Sequence, residues 1–529
     1  MSSQFSMKSY MKGALLLTVA ALVVKVLSAV YRVPFQNLVG DQGFYVYQQV
    51  YPLISFFVVW TSGGVAVAIS KMLADTNEEG IKQSITKVVF QYLTVLSLLF
   101  FALLFFGAHT LASWMGDPLL APLLKTGAFV ALCMPALAIM KGTFQSRGMM
   151  EPVAYAQVFE QAIRVSIILI GTIVVVTTLS QSVYAAGNMA VFGTVIGELA
   201  WVILLFVYMI KKGILFKENI SIPKWPIIKE VTIFSITVSM SSLLLLAYQL
   251  VDSFTVFSML VDLGMPTLEA METKGIYDRG QPLVQLGIVI ASSFSLAIVP
   301  LVAHKSKKGT RDEVPYIQLT YRASLLFGVA ASLGLVLVMP YANTLLFKTD
   351  ALSAVLMLYV LQIIWLSIIL TFTSILQGYG KLKVPTYFLL GALTLKIAGN
   401  LLFMPLFGIL GVAIASNIGL CSCALLLMYY LKKLKGIQLA TGTFYRKLFL
   451  ASMSMVVVVA LVAVLLNSVT DFSSMRMQAV VYSAVLILLG AFTFITVAAK
   501  IQILSVREWF IIPFGRKMAT YQLWLNKKK

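Results

Sequence analysis

Charged residues are scarce in this chain of 529 residues. They make up 11% of the sequence, whereas hydrophobic residues make up 60%. Soluble globular domains carry about 25% charged residues, so both values lie far outside their range. The composition therefore excludes a soluble protein and predicts one that lies largely within a membrane.

Residues that build metal, redox or nucleotide sites are also few. His109 and His304 lie at the ends of different helices without cysteine or carboxylate neighbours at ligand spacing, which argues against a zinc site. No Gly-rich loop ends in Gly-Lys-Ser/Thr, so ATP bound to this chain does not drive its activity. We expect no metal, no cofactor and no catalytic residue. The cysteines all fall inside apolar segments, which argues against a disulfide framework: Cys133, Cys421 and Cys423.

Long apolar segments, in contrast, are abundant. A helix of about 20 apolar residues crosses the hydrocarbon core, and it satisfies its own backbone groups in lipid. We therefore predict an all-α polytopic membrane protein with fourteen transmembrane helices. They lie roughly at 12–38, 45–74, 85–108, 121–144, 152–178, 186–210, 227–257, 281–303, 316–341, 351–377, 384–405, 408–432, 446–467 and 477–500.

The hydrophobic pattern runs twice along the chain. One set of residues recurs about 230 positions later, and a second set recurs at nearly the same offset. Each half has six segments, and because six is an even number of crossings, the second half starts on the same side of the membrane as the first. The pattern predicts two parallel six-helix repeats around a central cavity, with the substrate at their interface. The matched residues are Tyr47, Pro52, Leu53 and Ser62 with Tyr277, Pro282, Leu283 and Ser292, and Phe144, Gln145 and Gly148 with Leu376, Gln377 and Gly380.

These repeats predict five parts of the chain. An N-terminal six-helix lobe covers 1–212, a cytoplasmic linker 213–230 and a C-terminal six-helix lobe 227–435. An extra helix pair at 444–500 has no counterpart in the repeat. The tail 501–529 mixes cations with tryptophan, which predicts a basic amphipathic segment on the cytoplasmic face.

The net charge of +20 reflects topology rather than nucleic-acid binding. About 31 of the 40 Lys and Arg residues fall in loops and ends on one side, and about six on the other. The side rich in cations is the cytoplasmic one, so both termini are expected in the cytoplasm. The connection 262–280 lies on the opposite side, where we expect a mobile, solvated loop.

Four ionisable residues are candidate substrate ligands. Each charge inside a membrane helix costs roughly 2.5–3.5 kcal/mol, so such residues mark pathways. Lys25 and Arg32 are seven residues apart and share one face of the first helix. Asp278 and Arg279 stand at the repeat-related start of the eighth. A guanidinium suits the forked binding of phosphate, which predicts a large anionic ligand. Snorkelling of Arg32 to the outer interface is the alternative.

Asp252 is a candidate ligand for a coupling cation, Na⁺ or H⁺. Asn400 and Ser416 would supply further oxygen atoms. The alternative is that Lys396 pairs with Asp252 and holds it in place.

Four charges within helices have open roles: Glu160, Arg164, Glu198 and Lys396. Glu160 and Arg164 are spaced as an internal ion pair, and Glu198 beside Gly197 could bond to a neighbouring helix.

Three motifs resemble those of a known family. The runs Lys25-Val-Leu-Ser-Ala-Val-Tyr-Arg32, Gly40-Asp-Gln-Gly43 and Tyr277-Asp-Arg-Gly-Gln-Pro282 resemble the polysaccharide-lipid transporters of the multidrug/oligosaccharidyl-lipid/polysaccharide exporter superfamily. Within it the chain is similar to the lipid II flippases (MurJ type) and their sporulation-associated relatives in Gram-positive bacteria. The similarity covers the whole chain and includes the 6 + 6 + 2 arrangement of helices.

The resemblance implies a function and a site. In lipid II flippases, basic residues of helices 1, 2 and 8 line a cationic cavity, which carries over to Lys25, Arg32 and Arg279. The segment 52–70 has no Arg, and Met404 stands one turn after Asn400 where the family-like cation site has an acid.

The implied protein is a multi-pass flippase of the cell membrane. It would move an undecaprenyl-pyrophosphate-linked sugar, such as lipid II, from the inner to the outer leaflet by alternating access. Its partners would be this lipid-linked oligosaccharide and membrane lipids. The alternatives are an exporter of another polyprenyl-linked polysaccharide unit, a cation-coupled multidrug antiporter, and a scaffold for wall-synthesis enzymes.

Overall fold

A computed structural model describes residues 7–214, 220–289, 291–293, 302, 313–469, 476–512 and 515–527. Within these ranges the chain is almost entirely helical and contains no β-strand. Twelve of its helical stretches are long and apolar enough to cross a membrane. The predicted all-α polytopic architecture is thereby confirmed, whereas the count of fourteen helices stays a prediction.

The first of these stretches, Val19–Asp75, is 57 residues long. A straight helix of that length would extend about 86 Å, whereas the hydrocarbon core is about 30 Å thick. The stretch is interrupted at Gly40, which has φ 70° and ψ −175°. A side chain would be strained at this positive φ, and glycine is not. The interruption falls in the run Gly40-Asp-Gln-Gly43, called here the turn at 40–43, which lies between the helices predicted at 12–38 and 45–74. It separates two lengths that can each cross the membrane.

One compact unit of the structure comprises Met1–Leu286 and Leu382–Ala415. Local sequence signals start its helices. The helix that begins at Glu151 has Pro152 in its first turn, where no backbone donor is needed, and the Ser182 hydroxyl caps the next one by accepting from the Ala185 amide at 3.3 Å. The helices are α1 (Met7–Val30), α2 (Arg32–Val59), α3 (Ala66–Asp75), α4 (Glu79–Phe106), α5 (Ala108–Trp114), α6 (Ala121–Ser146), α7 (Glu151–Ile173), α8 (Val183–Lys211), α9 (Lys224–Asp262), α10 (Thr267–Asp278), α11 (Gly280–Gly287) and Lys383–Phe407.

The expectation of a mobile, solvated loop at 262–280 is wrong. Most of this connection is the helix α10, which follows Pro266 and has Glu269 in its first turn. Pro266 has extended backbone that places it just before the helix, and an acid in the first turn interacts favourably with the helix dipole. One face of α10 is buried, with Ala270 and Met271 almost inaccessible to solvent. Burial of these apolar side chains stabilises a helix where composition alone favoured a loop.

The other compact unit comprises Gly287–Lys381 and Ser416–Lys529. The predicted helix at 281–303 lies partly outside the described residues. The predicted lobes at 1–212 and 227–435, with the linker at 213–230, stay a prediction. The helices are Val314–Phe347, Ser353–Val360, Gln362–Gly378, Gly442–Val469, Arg476–Lys500, Val506–Ile511 and Gly515–Asn526, while Ile409–Lys435 contributes residues to both units.

The C-terminal region has the two long helices expected at 444–500, followed by two short helices. Ser505 and Glu508 form a reciprocal capping box at the first short helix. Trp509 is buried and its indole N–H donates to Gln522 Oε1 at 2.8 Å, whereas Trp524 is exposed. The binding of this tail to the membrane surface stays a prediction.

Candidate functional site

Arg32 lies at the start of α2 and its side chain is fully buried. Its Nη1 donates to Gln281 Oε1 at 2.9 Å, and its guanidinium carbon lies 4.7 Å from the centre of the Tyr51 ring. Within the described part of the chain, its Nε and Nη2 atoms have no hydrogen-bond partner. Each buried donor without a partner costs about 1–3 kcal/mol, and more when it is charged. The arrangement therefore has capacity for an additional acceptor.

Two glutamines that the sequence analysis did not single out surround this arginine. Gln281 Oε1 accepts from Arg32 and also from Gln48 Nε2. Gln281 Nε2 and Gln48 Oε1 have no partner among the residues described, although both side chains are buried. The unpaired atoms of this cluster are mostly donors, which suits a ligand rich in oxygen atoms. The signal for Gln281 was its place in the run 277–282, and nothing in the sequence pointed to Gln48.

Arg279 forms a forked ion pair with Asp41. Its Nε lies 2.9 Å from Asp41 Oδ1, and its Nη2 lies 2.7 Å and 2.6 Å from Oδ1 and Oδ2. The Arg279 side chain is buried and Asp41 is slightly exposed. Burial lowers the pKa of Arg279, and the nearby Asp41 opposes that change. The candidate substrate ligand is thus held by a carboxylate from the turn at 40–43.

Asp278, the acidic neighbour of Arg279, has its own cation. Lys274 Nζ lies one turn earlier on α10 and donates to both carboxylate oxygens of Asp278 at 2.6 Å. Both side chains are largely buried. Burial raises the pKa of Asp278, and the attraction of Lys274 counteracts this shift. The pair is electrically neutral, so Asp278 does not cancel the charge of Arg279.

Lys25 has different surroundings from Arg32, although the two residues were expected on one helix face. Lys25 is exposed, whereas Arg32 is fully buried. The chain between them passes from α1 into α2 at Tyr31. Lys25 stays a predicted substrate ligand, without a contact that assigns it.

Asp252, the candidate cation ligand, is paired with Lys396. The Lys396 ammonium lies 2.8 Å from Asp252 Oδ1 and donates to the Val412 carbonyl at 3.2 Å. The Asn400 amide nitrogen donates to the same Asp252 oxygen at 3.1 Å. Across the described ranges, no three His, Cys, Asp or Glu side chains group as metal ligands. Ser416 belongs to the other compact unit and stays a predicted ligand.

Three of the four charges of open role, Glu160, Arg164 and Glu198, form one cluster within helices α7 and α8. Arg164 Nη2 lies 2.6 Å from Glu160 Oε1 and 2.6 Å from Glu198 Oε1. Both carboxylates are buried. The ammonium of Lys141, a residue that sequence reasoning missed, lies 4.5 Å from the centre of the Trp201 ring. One arginine that bridges two buried carboxylates is the arrangement expected for a structural network inside a helical bundle.

The sequence is similar to proteins of polysaccharide biosynthesis. A family described as polysaccharide biosynthesis protein matches residues 10–306. The uncharacterized membrane protein YabM of Bacillus subtilis (strain 168) is 33% identical, with 96% of both chains covered. Lipid II flippase MurJ of the same organism is 22% identical over 77% of this chain and 80% of its own. Stage V sporulation protein B of that organism is 31% identical over 40% of this chain and 41% of its own.

The fold is also similar to that of a solved transporter structure. The structure of lipid II flippase MurJ in an inward closed conformation matches with a TM-score of 0.72 and 17% sequence identity. The match covers 92% of this chain and 99% of the other. The fold of this chain is therefore similar to that of the flippase structure.

Proposed function

The chain belongs to the polysaccharide biosynthesis protein family, and from this premise we propose that it is a flippase for an undecaprenyl-pyrophosphate-linked sugar. It is a multi-pass membrane transporter and not an enzyme, in keeping with its flippase relative. The substrate we propose is a peptidoglycan precursor of the lipid II type. The protein moves it from the inner to the outer leaflet by alternating access.

The observation that carries this proposal is the state of Arg32. The guanidinium is fully buried, and two of its nitrogen atoms have no partner among the described residues, which is unfavourable unless a ligand completes its hydrogen bonds. Phosphate oxygens match the fork of an arginine, and such charge-assisted bonds are about twice as strong as neutral ones. The Gln281 amide nitrogen, which has no partner among the described residues, adds a donor for the phosphate or for a sugar hydroxyl. A diphosphate linked to a sugar meets all of these requirements.

The chemistry of each part of the substrate determines where that part lies during transport. The diphosphate carries the charge and binds the arginines, and the sugar occupies the polar surroundings. The polyprenyl chain is as apolar as the lipid, so it gains nothing from entering a polar cavity and stays in the bilayer. Transport in this scheme needs no covalent step.

A complementation experiment tests the proposal. A strain depleted of its lipid II flippase is supplied with the wild-type chain, with Arg32→Gln or with Arg32→Lys, at matched membrane levels. We expect the wild type to restore growth and labelled precursor flux, Arg32→Gln to abolish both, and Arg32→Lys to restore them in part because an ammonium keeps the charge and loses the fork. Lys381→Ala is the control, since Lys381 is exposed in a connection between helices. Full flux with Arg32→Gln would overturn the proposal.

The same experiment separates the alternative glycans. If the wild-type chain restores no lipid II flux, the assay is repeated with a labelled teichoic-acid or capsule precursor on the same polyprenyl carrier. Transport of one of these would change the sugar in the proposal and leave the diphosphate site in place.

A further inference from the structure

Two arginines of the candidate site are held by acceptors from opposite parts of the sequence repeat. Arg32, in the first repeat, donates to Gln281 in the motif 277–282 of the second repeat. Arg279, in that same motif, donates to Asp41 in the turn at 40–43. The pairs Arg32–Gln281 and Arg279–Asp41 together form what we call the cross-repeat clasp. Both join segments more than 230 residues apart in the chain, and all four residues belong to one compact unit.

The Asp41 side of the clasp imitates a phosphate. Its two carboxylate oxygens meet Nη2 of Arg279 at 2.7 Å and 2.6 Å, and one of them also meets Nε at 2.9 Å. Two oxygen atoms of a phosphate present a similar fork of negatively charged acceptors to a guanidinium. Asp41 is itself positioned by Gln36, whose Nε2 donates to Oδ1 at 2.8 Å.

The Gln281 side of the clasp is weaker and incomplete. A single neutral oxygen occupies one nitrogen atom of Arg32, and that oxygen is shared with Gln48. The other two nitrogen atoms of Arg32 have no partner within the described ranges. An anion with several oxygen atoms therefore offers Arg32 more than Gln281 does.

Close contacts also hold α10 against the turn at 40–43. The Gly275 backbone on α10 packs against Asp41, so a Cβ atom at this position would lie 2.2 Å from the Asp41 carbonyl oxygen. Gln42 donates to Glu272 at 2.9 Å between the same two segments. Opening between α10 and the turn at 40–43 thus requires the Arg279–Asp41 pair to break.

We propose that Asp41 and Gln281 occupy the phosphate positions when the transporter is empty, and that the diphosphate of the substrate displaces them. This inference rests on the proposed function, since it assumes that a diphosphate is the ligand. Displacement frees α10 from the turn, so the change of conformation follows substrate binding. A ligand shifts a conformational equilibrium only by its differential affinity, and exchange of Asp41 for phosphate supplies that difference.

If Asp41 competes with the ligand for Arg279, removal of the Asp41 charge should increase the affinity for an anion rather than decrease it, because Arg279 no longer has to leave a carboxylate. The full-length protein is purified in detergent and titrated calorimetrically with inorganic pyrophosphate. We expect Asp41→Asn to bind pyrophosphate at least tenfold more tightly than the wild type, and Arg279→Gln to bind it at least tenfold more weakly.

Gln42→Leu is the matched control. It breaks the contact with Glu272 between the same two segments and leaves both arginines untouched, so any gain in affinity should be far smaller than that of Asp41→Asn. If Asp41→Asn binds pyrophosphate no more tightly than the wild type while Arg279→Gln binds it more weakly, the displacement of Asp41 by phosphate is wrong. The proposed substrate site would then still be supported. If the wild type and every variant fail to bind pyrophosphate, the proposed function falls together with the clasp.

A double variant with exchanged charges separates loss of pyrophosphate binding from loss of folding in the single variants. The double variant Asp41→Arg, Arg279→Asp keeps an ion pair at this place and removes the arginine from the ligand position. We expect it to recover the thermal stability that Arg279→Gln loses, without recovering pyrophosphate binding. If it binds pyrophosphate as well as the wild type, Arg279 is not the residue for which Asp41 and phosphate compete, and the proposal is wrong.

Discussion

Lys396 and Asp252 form a buried ion pair in which the ammonium nitrogen lies 2.8 Å from a carboxylate oxygen. Asn400 donates to the same oxygen atom. The place where the sequence suggested a coupling cation therefore holds a positive charge that belongs to the chain. Removal of one partner from such a pair costs about 3–5 kcal/mol, because the other charge stays buried.

The coupling role of Asp252 is tested by Asp252→Asn in proteoliposomes with imposed gradients. If Asp252 binds a coupling cation, the variant should transport more slowly and lose its dependence on sodium or proton gradients. Asp252→Asn combined with Lys396→Gln removes both charges, and it separates loss of coupling from loss of stability. Gradient dependence that persists in both variants would assign Asp252 to a structural pair with Lys396.

Arg279 should be required for transport. Each charge-assisted bond to phosphate is worth about 1.5–3 kcal/mol, and about 1.4 kcal/mol corresponds to a factor of ten in binding. We expect Arg279→Ala to reduce transport at least tenfold in the complementation assay, and Arg279→Lys to restore it in part because the fork is lost. Lys381→Ala should have little effect. Normal growth and flux with Arg279→Ala would mean that this residue is not a substrate ligand.

Arg164 should be required for stability rather than for substrate binding. Arg164→Met leaves Glu160 and Glu198 buried without their shared cation, at an expected cost of about 3–5 kcal/mol. Thermal unfolding in detergent should show a large decrease in midpoint. Glu198→Gln leaves Arg164 paired with Glu160, so its decrease should be smaller. A pyrophosphate affinity that falls in Arg164→Met at unchanged thermal stability would contradict a structural role.

Gly275 should not tolerate a side chain. In Gly275→Ala the new methyl group would meet backbone atoms of Asp41, which cannot move as easily as a side chain. We expect a lower unfolding midpoint and weaker transport. Gly391→Ala is the matched control, since no atom of the described residues lies within 4 Å of a Cβ atom at that position. Equal behaviour of the two variants would show that α10 and the turn at 40–43 do not need this close contact.

The orientation in the membrane is tested with reporter fusions. Reporters placed after Lys212 and after Lys435 should read as cytoplasmic, and one within 262–274 as external, because cations are concentrated on the cytoplasmic side. A cytoplasmic signal from 262–274 would overturn the predicted helix count.

The sequence by itself determined the class of the protein and much of its plan. Apolar runs of membrane-spanning length require helices, because lipid cannot satisfy an exposed backbone. Gly40 interrupts the first long stretch between the helices predicted at 12–38 and 45–74, and the paired helices near the C-terminus also follow from composition. The fold and family agree with the three motifs. These features depend on local or periodic properties, which a single sequence records directly.

Only the tertiary structure decided how the charged and polar residues are paired. Asp41 lies 238 positions from Arg279, and no spacing rule connects them. Gln48 and Gln281 became candidate ligands only when packing brought them to Arg32, and Lys396 was one of two alternatives for Asp252 until their distance was known. The helix α10 owes its formation to burial against neighbours that composition does not reveal. Pairing in a membrane protein follows from which helix faces meet, and that is a property of the fold rather than of any one segment.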